Sequence, residues 1–234
     1  LLQNFNFQET IYKLKEIKDL DGQRYLMDFV ARRLPNGKKL IWGVPFPQNL
    51  SDLCQKSSKF YRAYDLESEI KWIISCLKKY KKEIRVFVKY RIEYEQSFLK
   101  GMYDECQNLL DKVRSEIGIS LWYYESQFLV YEYEDERSLS IKMMSDELER
   151  AIDKNNNYIL YIFKCLFDRS SSDLAPYSYD DNLHASYKRN RNELHEDYYK
   201  YLLFRLNYFN YYKDVDLSKI CLFESLSALV DRYE

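Results

Sequence analysis

Apolar residues recur three and four positions apart over most of this chain, the period of helices that turn one face to a core. The clearest run is Ile70, Ile73, Leu77, Tyr80, Ile84 and Phe87, a seam that predicts a long helix from Leu66 packed against other helices. The register then changes to Val88, Ile92 and Leu99, so a bend or break is expected between Tyr80 and Arg91. The stretch from Ile84 to Glu134 organises the rest. It breaks at Gly101, resumes at once and breaks again at Gly118, which predicts an antiparallel helix pair followed by a third helix. Gly101 supplies the positive φ that closes the first of these. A helix starting just after it puts Cys106, Leu110 and Val113 on one face.

Elsewhere the pattern is shorter. Ile11, Leu14 and Ile17 predict a helix over 8–20, ended by Asp21-Gly22. Asn36-Gly37 between β-compatible runs predicts a small β-hairpin near residues 28–44. Pro45 and Pro47 then force an extended exit. Ser51-Asp52 can cap a helix running to about Tyr64, and further helices are expected over Ser138–Ile152, His195–Tyr212 and Leu217–Tyr233. Tyr158–Phe167 is apolar on nearly every side and should be buried. The polar stretch Arg169–Ser178 reads as a linker joining helices of one array. The fold expected is all-α, an irregular array of about nine or ten helices with that one hairpin. Its segments are an N-terminal helix and hairpin over 1–50, a helical region over 51–168, and a C-terminal helical region over 177–234 packed on the same array.

Composition narrows the function classes. Lys and Arg total 36 against 37 Asp and Glu, so no global field favours nucleic acid or an acidic membrane surface. Tyr occurs 24 times, Gly five and Pro four, and so few breakers argue for long helices with short connections. The five cysteines are widely spaced without a CxxC pair, and read as reduced core residues of a cytoplasmic protein. With His184 and His195 as the only imidazoles, no metal site or cofactor is expected. The longest apolar run, Tyr158–Phe163, is far short of the ~20 residues that span a bilayer. The chain begins without Met and ends inside an amphipathic pattern, which suggests a piece of a longer polypeptide.

Gly101, Tyr103, Cys106, Leu110 and Val113 stand at relative positions 0, +2, +5, +9 and +12. This spacing resembles the second half of a tetratricopeptide repeat, with Cys106 in the small-residue position. One period of about 34 residues either way, the matching positions hold Asp135, Arg137 and Ser140, or Glu67, Glu69 and Trp72, so the resemblance covers one repeat. Ser120 to Phe128 also resembles large bacterial proteins with irregular repeats of this kind. The resemblance implies a solenoid-like scaffold that binds a protein partner, or another domain of its own polypeptide. The groove beside Tyr90, Tyr94, Tyr123 and Glu125 is then the candidate contact surface.

Two rival classes rest on local patterns. Arg189, Asn190 and His195 resemble the motif of HEPN ribonucleases, in which His assists attack of a ribose 2′-hydroxyl and Arg steadies the phosphate without metal. That resemblance implies a phage-defence or toxin context. An accidental Arg near a His at a solvated helix start is the preferred reading. Lys78, Lys82, Arg85 and Lys89 recur at 0, +4, +7 and +11, on one helical face able to track a phosphate backbone. A plain solvent face explains that stripe better, since Glu83 and Glu93 interrupt it. The acidic run Tyr131–Glu136 reads as a solvated helix end. The favoured function is therefore a non-catalytic interaction module.

Overall fold

The computed structural model describes residues 7–34, 36–49, 52, 65–150, 165–189, 204–205, 216–217, 221 and 227–234. The chain is all-α, and no strand occurs among the described residues. The helices with described ends are α1 (Phe7–Lys15), α2 (Leu20–Arg33), α3 (Gly37–Trp42), α4 (Leu66–Lys79), α5 (Lys81–Leu99), α6 (Tyr103–Glu116), α7 (Leu121–Tyr133), α8 (Arg137–Arg150), α9 (Pro176–Arg189) and α10 (Leu229–Tyr233). Residues 165–170 are helical as well. The chain forms two compact units interleaved along the sequence. One comprises Leu1–Pro45, Lys56–Ile84 and Asp216–Glu234, the other Phe46–Gln55 and Arg85–Val215.

In the first unit α2 packs on α1, α3 and α4, around a core of Ile11, Leu14, Met27, Ala31, Ile41, Trp42, Trp72 and Cys76. The helix expected over 8–20 stops earlier, at Lys15, and Asp21-Gly22 lies inside α2. The reason is Asp19, whose carboxylate accepts the Gly22 N–H at 2.7 Å and caps α2. The hairpin expected near 28–44 does not form among the described residues, where α2 and α3 stand instead. Gln23, Met27 and Ala31, four apart, keep the last turns of α2 on the core, and Asn36-Gly37 reverses the chain between two helices instead of two strands. Asn36 is left-handed at φ 56°, and a Cβ on Gly37 would stand 2.7 Å from the Ala31 carbonyl oxygen.

The seam expected on α4 is rotated. Ile70 is exposed, while Glu69, Trp72, Ser75 and Cys76 face inward, because the first unit buries a polar layer beside its apolar core. The Lys15 ammonium donates to both oxygens of Glu69 at 2.8 Å, with the two side chains 3% and 0% exposed. Next to this pair Gln23 donates to the Leu14 carbonyl at 2.9 Å and accepts from the Ser75 hydroxyl at 2.6 Å. Lys15 also lies 5.3 Å from the Trp72 ring centre. Burial pulls the Lys15 pKa down, and the Glu69 carboxylate opposes that shift. At the far end of α4, Lys79 pairs with Asp28 and sits over the Trp42 ring.

The last helix is shorter than the expected 217–233. Ala228, at φ −55° and ψ 151°, interrupts it, and α10 begins at Leu229. There the Leu229 N–H bonds the Pro45 carbonyl at 2.8 Å, and Arg232 donates to the Trp42 carbonyl at 2.6 Å. The break anticipated between Tyr80 and Arg91 falls at Tyr80.

In the second unit, contacts between side chains give the helix directions. Tyr90 meets Glu116, Tyr94 meets Cys106 and Ser97 meets Glu105, so α6 runs antiparallel to α5. Gln107 meets Gln127 and Arg114 meets Tyr123, so α7 reverses again. Phe87 meets Trp122, Tyr94 meets Ser126 and Phe98 meets Tyr133, which sets α7 parallel to α5. Cys106, Leu110 and Val113 are all buried, as the spacing predicts, with Leu109, Ile117, Ile119, Tyr124, Phe128 and Val130. Gly101 (φ 71°) and Gly118 (φ 96°) both take the left-handed conformation. Ser120 caps α7 by accepting the Tyr123 N–H at 2.9 Å. Beyond α7, α8 packs on it, Phe167 meets Phe128 edge to face, and Tyr179 and Leu183 of α9 are buried. The helix expected from Ser51-Asp52 to Tyr64, Asp52 apart, lies outside the described residues, as do most of Tyr158–Phe167 and nearly all of His195–Tyr212.

Two sets of substitutions test this reading in urea unfolding. Lys15→Met should cost about 3–5 kcal/mol by leaving the Glu69 charge buried alone, whereas Lys15→Met with Glu69→Leu should recover most of the loss; equal costs for single and double variants would contradict a coupled pair. Gly101→Ala should cost about 1–2 kcal/mol for its left-handed backbone alone, since nothing lies within 4 Å of the added Cβ. Gly118→Ala should cost more, because its Cβ would meet the Pro47 carbonyl oxygen at 2.5 Å.

Candidate interaction surface

The structure separates the residues singled out from the sequence. Tyr90 is half-buried on α5, its hydroxyl donating to Glu116 at 2.9 Å. Tyr94 is buried, donates to the Ser126 carbonyl at 3.0 Å, and has its pKa pushed up by burial. Tyr123 is also buried, and burial raises its pKa against the pull of the Arg114 guanidinium beside it. Glu125 is half-buried and pairs with Arg169 at 3.0 Å. Two of the four thus build the interior of the second unit. Lys78 is exposed on α4, and Lys82, Arg85 and Lys89 are exposed on α5, with Lys89 3.9 Å from Glu93. Arg189 is the last residue of α9; its side chain, Asn190 and His195 lie outside the described residues.

A buried polar network unforeseen in the sequence lies nearby. Arg114 donates to Glu147 at 2.8 Å, with Glu147 itself buried, and holds its guanidinium 5.9 Å from the Tyr123 ring centre. Its groups are mutually satisfied, so it joins α6 to α8 as a structural tie.

The surface feature that stands out is the end of the helix trio where α5 and α7 finish and α6 begins. Leu99 is 87% exposed, Tyr133 60% and Met102 41%. Tyr133 ends an aromatic ladder that climbs out of the core. Phe87 meets Trp122 at 4.9 Å, Trp122 meets Tyr94 at 5.6 Å, Tyr94 stacks on Phe98 at 5.8 Å, and Phe98 meets Tyr133 at 5.2 Å. Tyr103 closes the top, 5.7 Å from Phe98 and 6.4 Å from Tyr133. The register that counts Leu99 among core residues fails because Leu99 falls on the same exposed face of α5 as Ile92, Glu95 and Gln96, turned away from the face of Tyr94 and Phe98 that meets α7.

Both helix ends here close in the same way. At α5 the Gly101 N–H bonds Phe98 and the Met102 N–H bonds Ser97; at α7 the Asp135 N–H bonds Glu132 and the Glu136 N–H bonds Tyr131. Each is a Schellman closure, with Gly101 left-handed in one and Asp135 (φ 57°) in the other. The carbonyl ends of two parallel helices therefore lie side by side, each carrying partial negative charge. Neither has a basic residue in its last turn. Glu134, Asp135 and Glu136 follow directly, and Asp104 and Glu105 open α6. Burial raises the Glu134 pKa, and the neighbouring Glu136 and Asp104 carboxylates raise it further.

A second apolar stripe lies on α2 in the first unit, where Tyr25, Leu26 and Phe29 are exposed and Arg33 sits 5.0 Å from the Phe29 ring centre. Among the described residues no His, Cys, Asp and Glu cluster is placed to hold a metal ion, and no helix is long and apolar enough to cross a membrane. No protein-family model, curated protein or solved structure matches the chain.

Proposed function

We propose that the chain is a non-catalytic helical scaffold that binds a protein partner, or another domain of a longer polypeptide, through the apolar end of the α5–α6–α7 trio. One observation carries this reading: Tyr133, 60% exposed, stands in solvent at the outer end of a packed aromatic ladder, and Met102, which precedes the ladder's Tyr103, is exposed as well. Exposed apolar side chains scattered singly mean little, but an exposed aromatic seated on a packed base is the kind of anchor a contact surface uses. The up-down-up order of the trio supports a tetratricopeptide-like module, because such repeats lay a third helix alongside the first. Tyr90 flanks the trio, while Tyr94 and Tyr123 hold it together from inside.

Photo-crosslinking in the cells that make the protein tests the proposal. A benzophenone side chain in place of Tyr133 should give a discrete protein adduct, and the same group in place of Ile141, which is exposed on α8, should give far less. Adducts of equal yield at both positions, or none at Tyr133, would contradict it. So would cleavage of RNA by the purified chain without added metal, if it disappeared in His195→Ala.

A further inference from the structure

The outer face of α2 carries a pattern that is its own complement. Asp21, Tyr25, Phe29 and Arg33 stand four residues apart, so they form one ridge along the helix, each about 6 Å further on and about 40° further round than the one before. At one end of the ridge the contact between neighbours is direct, with the Arg33 guanidinium 5.0 Å from the Phe29 ring centre. Met27, midway between the two rings in sequence, is fully buried on the opposite side of the helix with Gln23 and Ala31, so the ridge faces away from the core. An acid in the first turn and bases in the last suit the dipole of any surface helix. That rule asks nothing of the turns between, which here hold two aromatic rings in solvent, at 71% and 47% exposure, with Leu26 exposed beside them. Read from the other end, the order acid, ring, ring, base becomes base, ring, ring, acid. A two-fold axis leaving the helix opposite Met27 therefore sets Tyr25 on Phe29 of a second copy, Asp21 on Arg33, and the small Gly22 on the long Arg32.

We infer that α2 is a self-association surface on which two copies of the chain pack their ridges antiparallel, Tyr25 against Phe29 and Asp21 against Arg33 in both directions. Ridges of this spacing interlock when two helices cross at about −50°. Charge selects a second copy over other occupants: a wholly acidic partner would set like charge on Asp21, and a wholly basic one would set it on Arg32 and Arg33. The remaining charges of α2 do not interfere, since Asp28 pairs with Lys79 and Arg24 lies to one side, 3.2 Å from Asp21 in an exposed pair that contributes little. One helix face on another buries less than the roughly 1,200 Å² at the low end of standard interfaces, so the dimer is weak and depends on concentration. The surface belongs to the first unit and goes beyond the partner contact proposed for the second.

The test is sedimentation equilibrium of the purified chain over roughly a hundredfold range of concentration, reaching the high micromolar levels at which so small an interface should fill. The parent chain should be dimeric at the top of the range and monomeric at the bottom. Tyr25→Ser with Phe29→Ser should weaken the dimer at least about tenfold. Asp21→Arg alone sets Arg on Arg at both charge contacts, Arg33→Asp alone sets Asp on Asp, and each should also weaken it about tenfold. Mixed in equal amounts, these two single variants oppose Arg to Asp at both contacts, and a mixed dimer should form about as readily as the parent's. Residues serving only the dipole of their own helix would give no such recovery. Each variant's helical content is checked by circular dichroism, and the parent's own behaviour decides the matter without any variant. A parent chain that stays monomeric throughout, a dimer indifferent to the Ser changes, or a mixture no more associated than its two folded components would overturn the inference.

Discussion

The second unit depends on a backbone reversal that only a left-handed residue can make cheaply. At Gly101 the chain leaves α5, closes its last carbonyls and enters α6 within three residues. From that tight turn follow the antiparallel pairing of α5 with α6, the burial of Cys106, Leu110 and Val113 between helices, and the return of α7 alongside α5. The same turn leaves Met102 exposed next in the chain to Tyr103, which closes the ladder. A longer connection would have room to fold back over it. The exposed apolar end is thus a consequence of the turn geometry, and it sits on a base made rigid by successive ring contacts from Phe87 to Tyr133.

The first unit solves a different problem. Its core is small, and beside the apolar cluster it encloses a salt bridge, a glutamine and a serine that satisfy one another. Such a layer adds little net stability, since desolvation cancels most of the attraction. What it does is penalise every arrangement in which α1, α2 and α4 meet in another register, because Lys15, Gln23 or Glu69 would then be buried without its partner.

Much of this was legible where backbone geometry or simple periodicity decides the outcome. Gly101 and Gly118 end helices because no other residue type takes those dihedral angles so readily, whereas the break at Tyr80 falls inside an apolar seam that runs through it unchanged from Ile70 to Phe87. The failures have a common cause: they occur where a long-range or capping interaction overrides the local pattern. Ile70 looks like a core position and Glu69 like a surface one until Lys15, fifty-four residues earlier, supplies the counter-charge. Asn36-Gly37 is a reversal signal that fits strands and helices equally, and the inward face of α2 decides for helices. Asp19 moves a helix start that Asp21-Gly22 marks as a stop. The exposed end of the trio was half visible, since the acidic run after Tyr131 does end a helix; that Tyr133 meets Phe98 and Tyr103 there follows only once α5 and α7 run parallel.

Amide hydrogen exchange of the purified chain with and without the partner captured by crosslinking would locate the contact surface residue by residue. If the end of the trio is that surface, exchange slows only over residues 97–105 and 131–136, where the two helix ends and the start of α6 meet. Protection centred on the Tyr25–Phe29 stripe of α2, or no change at the end of the trio, would contradict the proposal.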